Sequence, residues 1–319
     1  MKHYDYIFTG AGLSALMTVY EMTKHPYFSK ASVLLLDQNT KNTNDRTWCF
    51  WDYEEQMDKI VSKKWSLAKY ADAHFERNLE LQPYQYKMIK GLDFYQHVFE
   101  AIASNGKIEF SNQKVTDFVD LNTHCEVTTD TQKYSCNKLL NSIYNPKIIN
   151  NQTKYPLLQQ HFIGWFIKSK EAVFNPEMAT FMDFSVEQKQ NTRFMYVLPT
   201  SSNEALLEYT LFSKDLLPKA EYENEIELYI KKLGITNYEI IEKEQGNIPM
   251  TSYQFWKHNS KNIVQIGSAG GWTKASTGYT FKNSIKKSKA LIQFLIYQND
   301  FKKLHKRDKF WLYDMLFLD

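Results

Sequence analysis

A chain of mixed α/β (α+β) class is predicted, in which a split βαβ domain of Rossmann-like type is interleaved with a domain of antiparallel sheet. Three observations predict it. A strand, a glycine turn and a helix open the chain, a second strand runs into a glycine cluster at residue 267, and a long aromatic-rich stretch of alternating pattern lies between them. The length of 319 residues allows about two domains.

Taken in order, Tyr4 to Thr9 is a short β-rich run, Gly10-Ala11-Gly12-Leu13-Ser14-Ala15 a turn, and Leu16 to Met22 a helical pattern. Gly10 permits the tight turn, Gly12 lets the backbone come close to a pyrophosphate, and the small Ala15 lets the helix pack near the strand. The free N–H groups at the helix N-terminus favour an anion there. Ser32 to Leu36 is a second buried strand ending in Asp37, at the separation where an acidic residue accepts hydrogen bonds from an adenosine ribose; a strand-end turn is its plainer role. The opening unit therefore reads as a holder of FAD.

Residues 65–81 carry short strand-like stretches, 91–104 a helix with Leu92, Tyr95, Val98, Phe99 and Ile102 at helical spacing, and 107–142 several short strands. From Tyr155 to Ser252 the pattern changes to aromatic alternating runs, His161 to Ile167, Phe194 to Leu198 and Ala205 to Phe212, interrupted by one helix from Glu221 to Leu233. Asn262 to Ile266 is a strand again, followed by the turn Gly267-Ser268-Ala269-Gly270-Gly271 and a helix from Ile285 to Ile296. Two glycine-rich strand ends at opposite ends of the chain suit one extended dinucleotide. The expected division assigns 1–60, 91–150 and 255–319 to the FAD-binding domain, and 61–90 and 151–254 to a substrate-binding domain.

Composition narrows the function. A net charge of +3 without a clustered basic stripe gives no reason to expect nucleic acid. Cys49, Cys125 and Cys136 lack metal-ligand or disulfide-framework spacing, which suits a reducing cytoplasmic setting. The eight histidines form no H-E-x-x-H pattern and no G-x-S-x-G elbow is present, so neither a metal nor a serine nucleophile is expected. No signal peptide is read at the start, and the apolar run from Ala290 to Tyr297, broken by Gln293, does not span a bilayer. The aromatic fraction of 15% suits either a large apolar cavity or a core.

At the end, Lys302, Lys303, Lys306, Arg307 and Lys309 precede Phe310, Trp311, Leu312, Tyr313, Met315, Leu316 and Phe317. This basic-then-aromatic order suits an anionic membrane surface or, equally, a helix packed on further chain.

Eight ordered segments carry a family resemblance: Thr9 to Leu16, Asp45 to Trp51, Gln160 to Trp165, Phe181 to Phe184, Phe194 to Pro199, Leu206 to Ser213, Asn247 to Met250 and Ile266 to Phe281. Over essentially its whole length the chain resembles the bacterial FAD-dependent lycopene cyclases. The resemblance implies a flavin hydroxylase-like architecture, reduced FAD supplied with electrons from NADPH, and redox-neutral closure of the acyclic ends of lycopene to β-ionone rings. A lipid-soluble substrate implies peripheral attachment at the inner face of the membrane.

That chemistry needs an acid strong enough to protonate an alkene, hence a carboxyl kept neutral by desolvation. Glu208, in the apolar run Leu206 to Phe212, matches the acidic position of the family; strand alternation alone would allow it to face solvent. Asp183 matches a second motif position and would orient the site or assist deprotonation, with a turn carboxylate as its plainer role. Trp165, Phe184, Tyr196, Tyr209 and Trp272 are candidates to stabilise a cation with their ring faces. By resemblance, Arg46 and Trp48 lie beside the flavin or the substrate entrance, and Thr277, Gly278 and Tyr279 near the isoalloxazine. Gly267-Ser268 stands where many flavin hydroxylases have Gly-Asp, which is similar to the cyclases. The resemblance also implies a further helical stretch beyond Asp319, so the chain is expected to be a fragment. A flavin-dependent monooxygenase or reductase acting on an isoprenoid, or a non-catalytic prenyl-lipid carrier, are the alternatives.

Overall fold

The computed structural model describes residues 1–304 and 309–318, except for the side chain of Phe310. In chain order the elements begin with β1 (Lys2–Thr9), α1 (Leu13–Thr23), β2 (Val33–Asp37), β3 (Thr47–Asp52), β4 (Lys63–Trp65), β5 (Leu67–Ala71), β6 (Glu76–Glu80), β7 (Gln85–Lys90) and α2 (Gly91–Ala103). There follow β8 (Ile108–Asn112), β9 (Val115–Asp120), β10 (Cys125–Thr129), β11 (Lys133–Asn141), α3 (Pro146–Asn150), β12 (Leu158–Ser169), β13 (Met178–Asp183), β14 (Thr192–Pro199) and β15 (Glu204–Ser213). The last are α4 (Lys219–Lys232), β16 (Tyr238–Met250), β17 (Ile263–Gln265), α5 (Phe281–Tyr297) and α6 (Lys309–Leu318).

The chain divides into two compact units, residues 1–44, 92–156 and 251–319 in the first and 45–91 and 157–250 in the second. Residues 45–60, expected with the first, lie in the second because β3 pairs antiparallel with β7 from Thr47↔Lys90 to Asp52↔Gln85. Sequence texture did not reveal that pairing, since the two strands are separated by more than thirty residues of mixed pattern.

In the first unit β1 lies between β2 and β11 with parallel pairing on both sides, β8 extends the sheet beyond β2, and β17 adds in parallel to the far end of β11. Val33 to Leu36 are all buried, as expected for a parallel strand covered on both faces. On the sheet, α1 packs against α5 through small polar residues: the Ser14 and Ser284 hydroxyls are 2.8 Å apart, and those of Thr18 and Ser288 2.9 Å. Small side chains let these helices approach while each of these four hydroxyls keeps a partner.

The second unit is built on a seven-stranded sheet, order β16-β12-β15-β14-β13-β5-β6, antiparallel except between β13 and β5. One face is covered by α4: Ile163, Trp165, Ile167, Met195, Val197, Leu207, Tyr209 and Leu211 pack with Tyr222, Ile226, Tyr229 and Ile230. Each such side chain removed from water contributes roughly 1.5–3 kcal/mol, so this face is the main core of the unit. A three-stranded sheet, order β3-β7-β4, meets the opposite face: Trp51 and Tyr86 contact Phe181 at ring separations of 5.0 and 5.6 Å, and the Trp65 Nε1–H donates to the Pro199 carbonyl at 3.0 Å.

Candidate active site

Strand alternation decides which residues of the second unit share the face beneath the small sheet. Along β15, Ala205, Leu207, Tyr209 and Leu211 enter the α4 core, so Leu206, Glu208, Thr210 and Phe212 point the other way. The register then sets Tyr196, Glu208, Gly164 and Glu244 in one row across β14, β15, β12 and β16. Gly164 has no side chain in the middle of this row. A Cβ there would stand 2.8 Å from Leu206 Cδ1, 3.1 Å from Glu244 Cγ and 3.4 Å from Glu208 Cβ. The glycine is thus a slot through which two glutamates on strands that are not neighbours bring their carboxyl groups within hydrogen-bonding reach.

Glu208 is buried, and its Oε1 accepts the Thr210 hydroxyl proton at 2.7 Å. Among the described residues no lysine or arginine is ion-paired with Glu208 or Glu244. Burial, then repulsion from Glu244, pushes the Glu208 carboxyl up to about 8, and burial drives Glu244 up as well. Two carboxyls in contact without a cation cannot both ionise cheaply, so the site retains a proton near neutral pH. The Cys49 thiol faces the same pair and is itself pushed well above its ordinary range by burial and by the two glutamates.

Around this acid the face is aromatic. Tyr196 packs edge-on against Phe194 and Phe181, with ring centroids 5.0 and 5.8 Å away, and Phe194 contacts Phe184 and Phe212. Of the proposed lining residues, Tyr196 stands opposite Glu208, and Phe184 packs against Phe194, the neighbour of Tyr196. Trp48 lies on β3, opposite Ile89 of β7. Trp165 and Tyr209 are not on this face: alternation turns both into the α4 core, where they are 2% and 0% exposed.

Asp183 is also separated from Glu208. Its Oδ2 accepts the hydroxyl proton of Tyr229 on α4 at 2.6 Å and its Oδ1 the Ser185 amide at 2.8 Å. Burial raises its carboxyl, but these hydrogen bonds and the Lys232 charge outweigh that and hold it below its ordinary value. An ionised carboxylate locked to a core helix on the other side of the sheet is a structural tie, which corrects the expectation that Asp183 serves beside Glu208. Glu244, conversely, escapes sequence reading because Glu242-Lys243-Glu244-Gln245 looks like a solvated edge strand. The one signal is the spacing Glu242, Glu244, Gly246, which alternation sets on a single face.

The first unit holds the glycine motifs. Gly10 has φ of 88°, and a Cβ there would run into the Ser142 hydroxyl, so the tight turn requires glycine. Gly12 caps α1 with no side-chain hydrogen bond, no acid stands in the first helical turn, and a Cβ at Gly12 would meet nothing within 4 Å. A helix start without a side-chain cap, beside open space at Gly12, is what a pyrophosphate needs. Ala11 donates its N–H to Asp37 Oδ2 at 2.7 Å, tying the end of β2 to the turn, and Lys41 Nζ lies 3.3 Å from the same oxygen. A carboxylate has about four lone-pair positions, so Asp37 keeps capacity for a further donor.

Ala15 and Ser14 are buried in α1, and Gly267, at φ of 60°, packs against Ser14. After β17, Gly270 would collide with the Gln265 carbonyl if it carried a Cβ, and Gly271 takes the left-handed conformation that ends the turn. Trp272 is buried beside Gly270 and belongs to the first unit. Gly278 has φ of 73°, Tyr279 accepts the Lys274 amide through its carbonyl, and the Thr277 hydroxyl is buried without a hydrogen-bond partner. An orphaned buried hydroxyl beside a glycine turn fits a ligand group there. Arg46 belongs to the second unit, exposed beside Asp45, with its carbonyl accepting the Gly91 amide at 2.7 Å.

In α6, Trp311 Nε1–H donates to the Ser252 carbonyl at 2.9 Å and Asp314 is buried beside Lys274 and Ser276. Leu312, Tyr313, Leu316 and Phe317 are exposed on the helix. Lys306 and Arg307 of the basic cluster lie outside the described residues. Among the described residues, no helix is long and apolar enough to cross a membrane, and no group of three or more His, Cys, Asp or Glu is arranged to hold a metal.

A parallel sheet with a glycine turn at α1, joined in sequence to an antiparallel-sheet unit, is a fold shared with known flavoproteins. Known structures agree: a geranylgeranyl bacteriochlorophyll reductase-like protein from Thermoplasma acidophilum superposes with a TM-score of 0.68 at 10% identity, over 98% of this chain and 82% of that one. A flavoprotein/dehydrogenase from Cytophaga hutchinsonii gives 0.66 at 12% identity, over 99% and 83%. In sequence, an uncharacterized protein of Methanosarcina barkeri is 21% identical over 295 residues, 90% of this chain and 73% of that protein. A lycopene beta-cyclase of Paracoccus sp. is 28% identical over 131 residues, 38% of this chain and 32% of that protein. Residues 5–311 match the lycopene cyclase protein family, and the chain belongs to that family.

Proposed function

We propose that this chain is a lycopene beta-cyclase, closing the acyclic ends of lycopene or a related carotenoid to β-ionone rings without net redox change. The observation that carries the reading is Glu208: a buried carboxyl without a basic partner, kept protonated, on a sheet face lined by Tyr196, Phe194, Phe181 and Phe184. Glu208 gives its proton to the terminal alkene, a neighbouring double bond attacks the resulting cation, and a ring proton is lost. The aromatic faces stabilise positive charge, and their apolar surface excludes the water that would capture it.

Gly10, Ala11, Gly12, Ser14, Ala15 and Asp37 would hold the adenosine diphosphate part of FAD, and Gly267, Gly270, Gly271, Thr277, Gly278 and Tyr279 the remainder, with Arg46 assigned beside the flavin and Trp48 to the substrate lining by resemblance. When bound in reduced form, with NADPH as electron source, FAD would contribute a negative charge favourable to cation chemistry. Trp272 is proposed for the substrate lining as an aromatic face able to stabilise a cation. The exposed Leu312, Tyr313, Leu316 and Phe317 of α6 support peripheral membrane attachment from the cytoplasmic side.

The test is expression in cells that accumulate lycopene, beside Glu208→Gln, with pigments resolved by chromatography and mass. The expected result is β-carotene of unchanged mass from the wild type and unconverted lycopene from the variant. A product of altered mass would replace the cyclase with a reductase or monooxygenase.

A further inference from the structure

Glu244 has no part in the proton transfer described so far, yet it occupies the other side of the Gly164 slot. We propose that Glu244 is a positioning residue for Glu208: the two carboxyls share a single proton, and the charge on Glu244 keeps that proton on Glu208 until the alkene takes it. The proposal rests on the cyclase reading for its chemical use but not for the pair itself.

The surroundings leave the pair dependent on itself. From β15, Thr210 donates to Glu208; from β14, Tyr196 stands opposite it; from β12 comes only Gly164. From β16, Glu242 adds a further negative charge against Glu244. From β3 come the neutral Cys49 thiol and the buried Thr47 hydroxyl, which lies against Glu244 and favours its charged form, and from β7 comes Tyr86, bonded to Cys49. Lys90 of β7 places its Nζ over the Phe166 ring at 5.7 Å and makes no ion pair with either glutamate among the described residues. Glu208 lies in the centre of the sheet and is the more deeply buried; Glu244 is half-buried on the edge strand, so it is the member that ionises first.

The proton balance closes. The Glu208 O–H proton passes to the terminal alkene carbon, leaving two adjacent carboxylates. The internal double bond supplies the electron pair of the new ring bond. The ring carbon then releases a proton to Glu208, whose return to the neutral form is driven by relief of repulsion from Glu244. No electrons are gained, and the pair ends as it began.

Titration of carbon-13-labelled glutamate carboxyls in the purified, flavin-loaded chain from about pH 5 to about pH 9 tests this, with Glu208→Gln assigning the signal. Two separated midpoints above the ordinary carboxyl range are expected in the wild type, and in Glu244→Gln the Glu208 midpoint falls by about one pH unit or more. The high-pH limb of the cyclisation rate profile moves with it. Glu244→Asp, which keeps the charge, retains a raised Glu208 midpoint and serves if the glutamine variant does not fold. An unmoved Glu208 midpoint in a folded Glu244→Gln protein, or a single ordinary carboxyl midpoint in the wild type, overturns the pair even if Glu208→Gln abolishes cyclisation. Coupled midpoints without any cyclisation by the wild type leave the pair standing and remove the cyclase reading instead.

Discussion

Glu208 and Glu244 sit two strands apart in the same sheet, and their carboxyl groups meet because the strand between them presents Gly164 to both. Neighbouring strands are about 4.8 Å apart, so across two strands only long side chains leaning inward can touch, and only if nothing stands between them. The slot is a property of three residues on three strands. Its first consequence concerns the glycine: in Gly164→Ala the new methyl overlaps Leu206 and crowds Glu244. Overpacking of this kind costs about 1–3 kcal/mol. Denaturant unfolding should show that loss, and cyclisation should fall because the carboxyls are pushed apart; a variant of wild-type stability and activity would show that the slot is wider than its geometry indicates.

A second consequence concerns pH. The folded Glu208 carboxyl is raised from an ordinary 4.5 to about 8, so between these values the folded chain holds more protons than the unfolded one. Its contribution is therefore complete below about pH 4.5 and is lost as pH rises towards 8. Relative to the double variant Glu208→Gln/Glu244→Gln, the wild type should lose melting temperature steadily over this interval. A wild type that instead gains melting temperature relative to the double variant as pH rises would mean that the folded carboxyls are ionised and stabilised by a cation.

Asp183 predicts the opposite sign. Its carboxyl is held below its ordinary 3.8, so its stabilisation is present above that value and disappears as pH falls through the lower folded value. Asp183→Asn weakens the bond from Tyr229 and should cost about 1–3 kcal/mol near neutral pH, as for a buried charged hydrogen bond. Activity per folded molecule should survive, since the carboxylate faces α4. Loss of turnover with unchanged stability would return Asp183 to the chemistry.

These contrasts show where sequence reading succeeds and where it stops. The glycine turn at Gly10 and Gly12, the buried β2 and the helix α4 are local patterns, and each is legible because its residues are contiguous. Which face a strand residue takes depends on register with strands far away, and that is why Trp165 and Tyr209 were expected beside Glu208 although they lie under α4. The alternation within β15 already places Tyr209 opposite in sense to Glu208, so this much could have been read from adjacent positions. Glu244 could not, because its burial comes from β3 and β12, which contribute nothing to the local pattern of β16.

The exposed side of α6 makes a further prediction. Leu312, Tyr313, Leu316 and Phe317 lie at spacings of one and four residues and so share a helix face, while Trp311 and Asp314 anchor the other. Flotation with vesicles containing anionic lipid should recover the wild type with the lipid, and Leu316→Ser/Phe317→Ser should shift it to the soluble fraction without lowering its melting temperature. A wild type that remains soluble throughout would remove the attachment.

Flavin binding can be tested at a position where folding and ligation separate. Gly12 has open space where a side chain would go, so Gly12→Val should leave the ligand-free protein close to wild-type stability, less the small helix-cap difference of a few tenths of a kcal/mol up to about 1. The same isopropyl group occupies the ground that a pyrophosphate must approach to reach the first N–H groups of α1. FAD affinity, followed by quenching of flavin fluorescence, should fall by at least about tenfold, which corresponds to about 1.4 kcal/mol. Gly10→Val is the contrasting case: its backbone is left-handed and its Cβ space is filled by Ser142, so this variant should lose stability before any ligand is added. If Gly12→Val binds FAD as the wild type does, the dinucleotide does not lie over the N-terminus of α1, and the assignment of Gly12 and Ala11 to the cofactor falls with it.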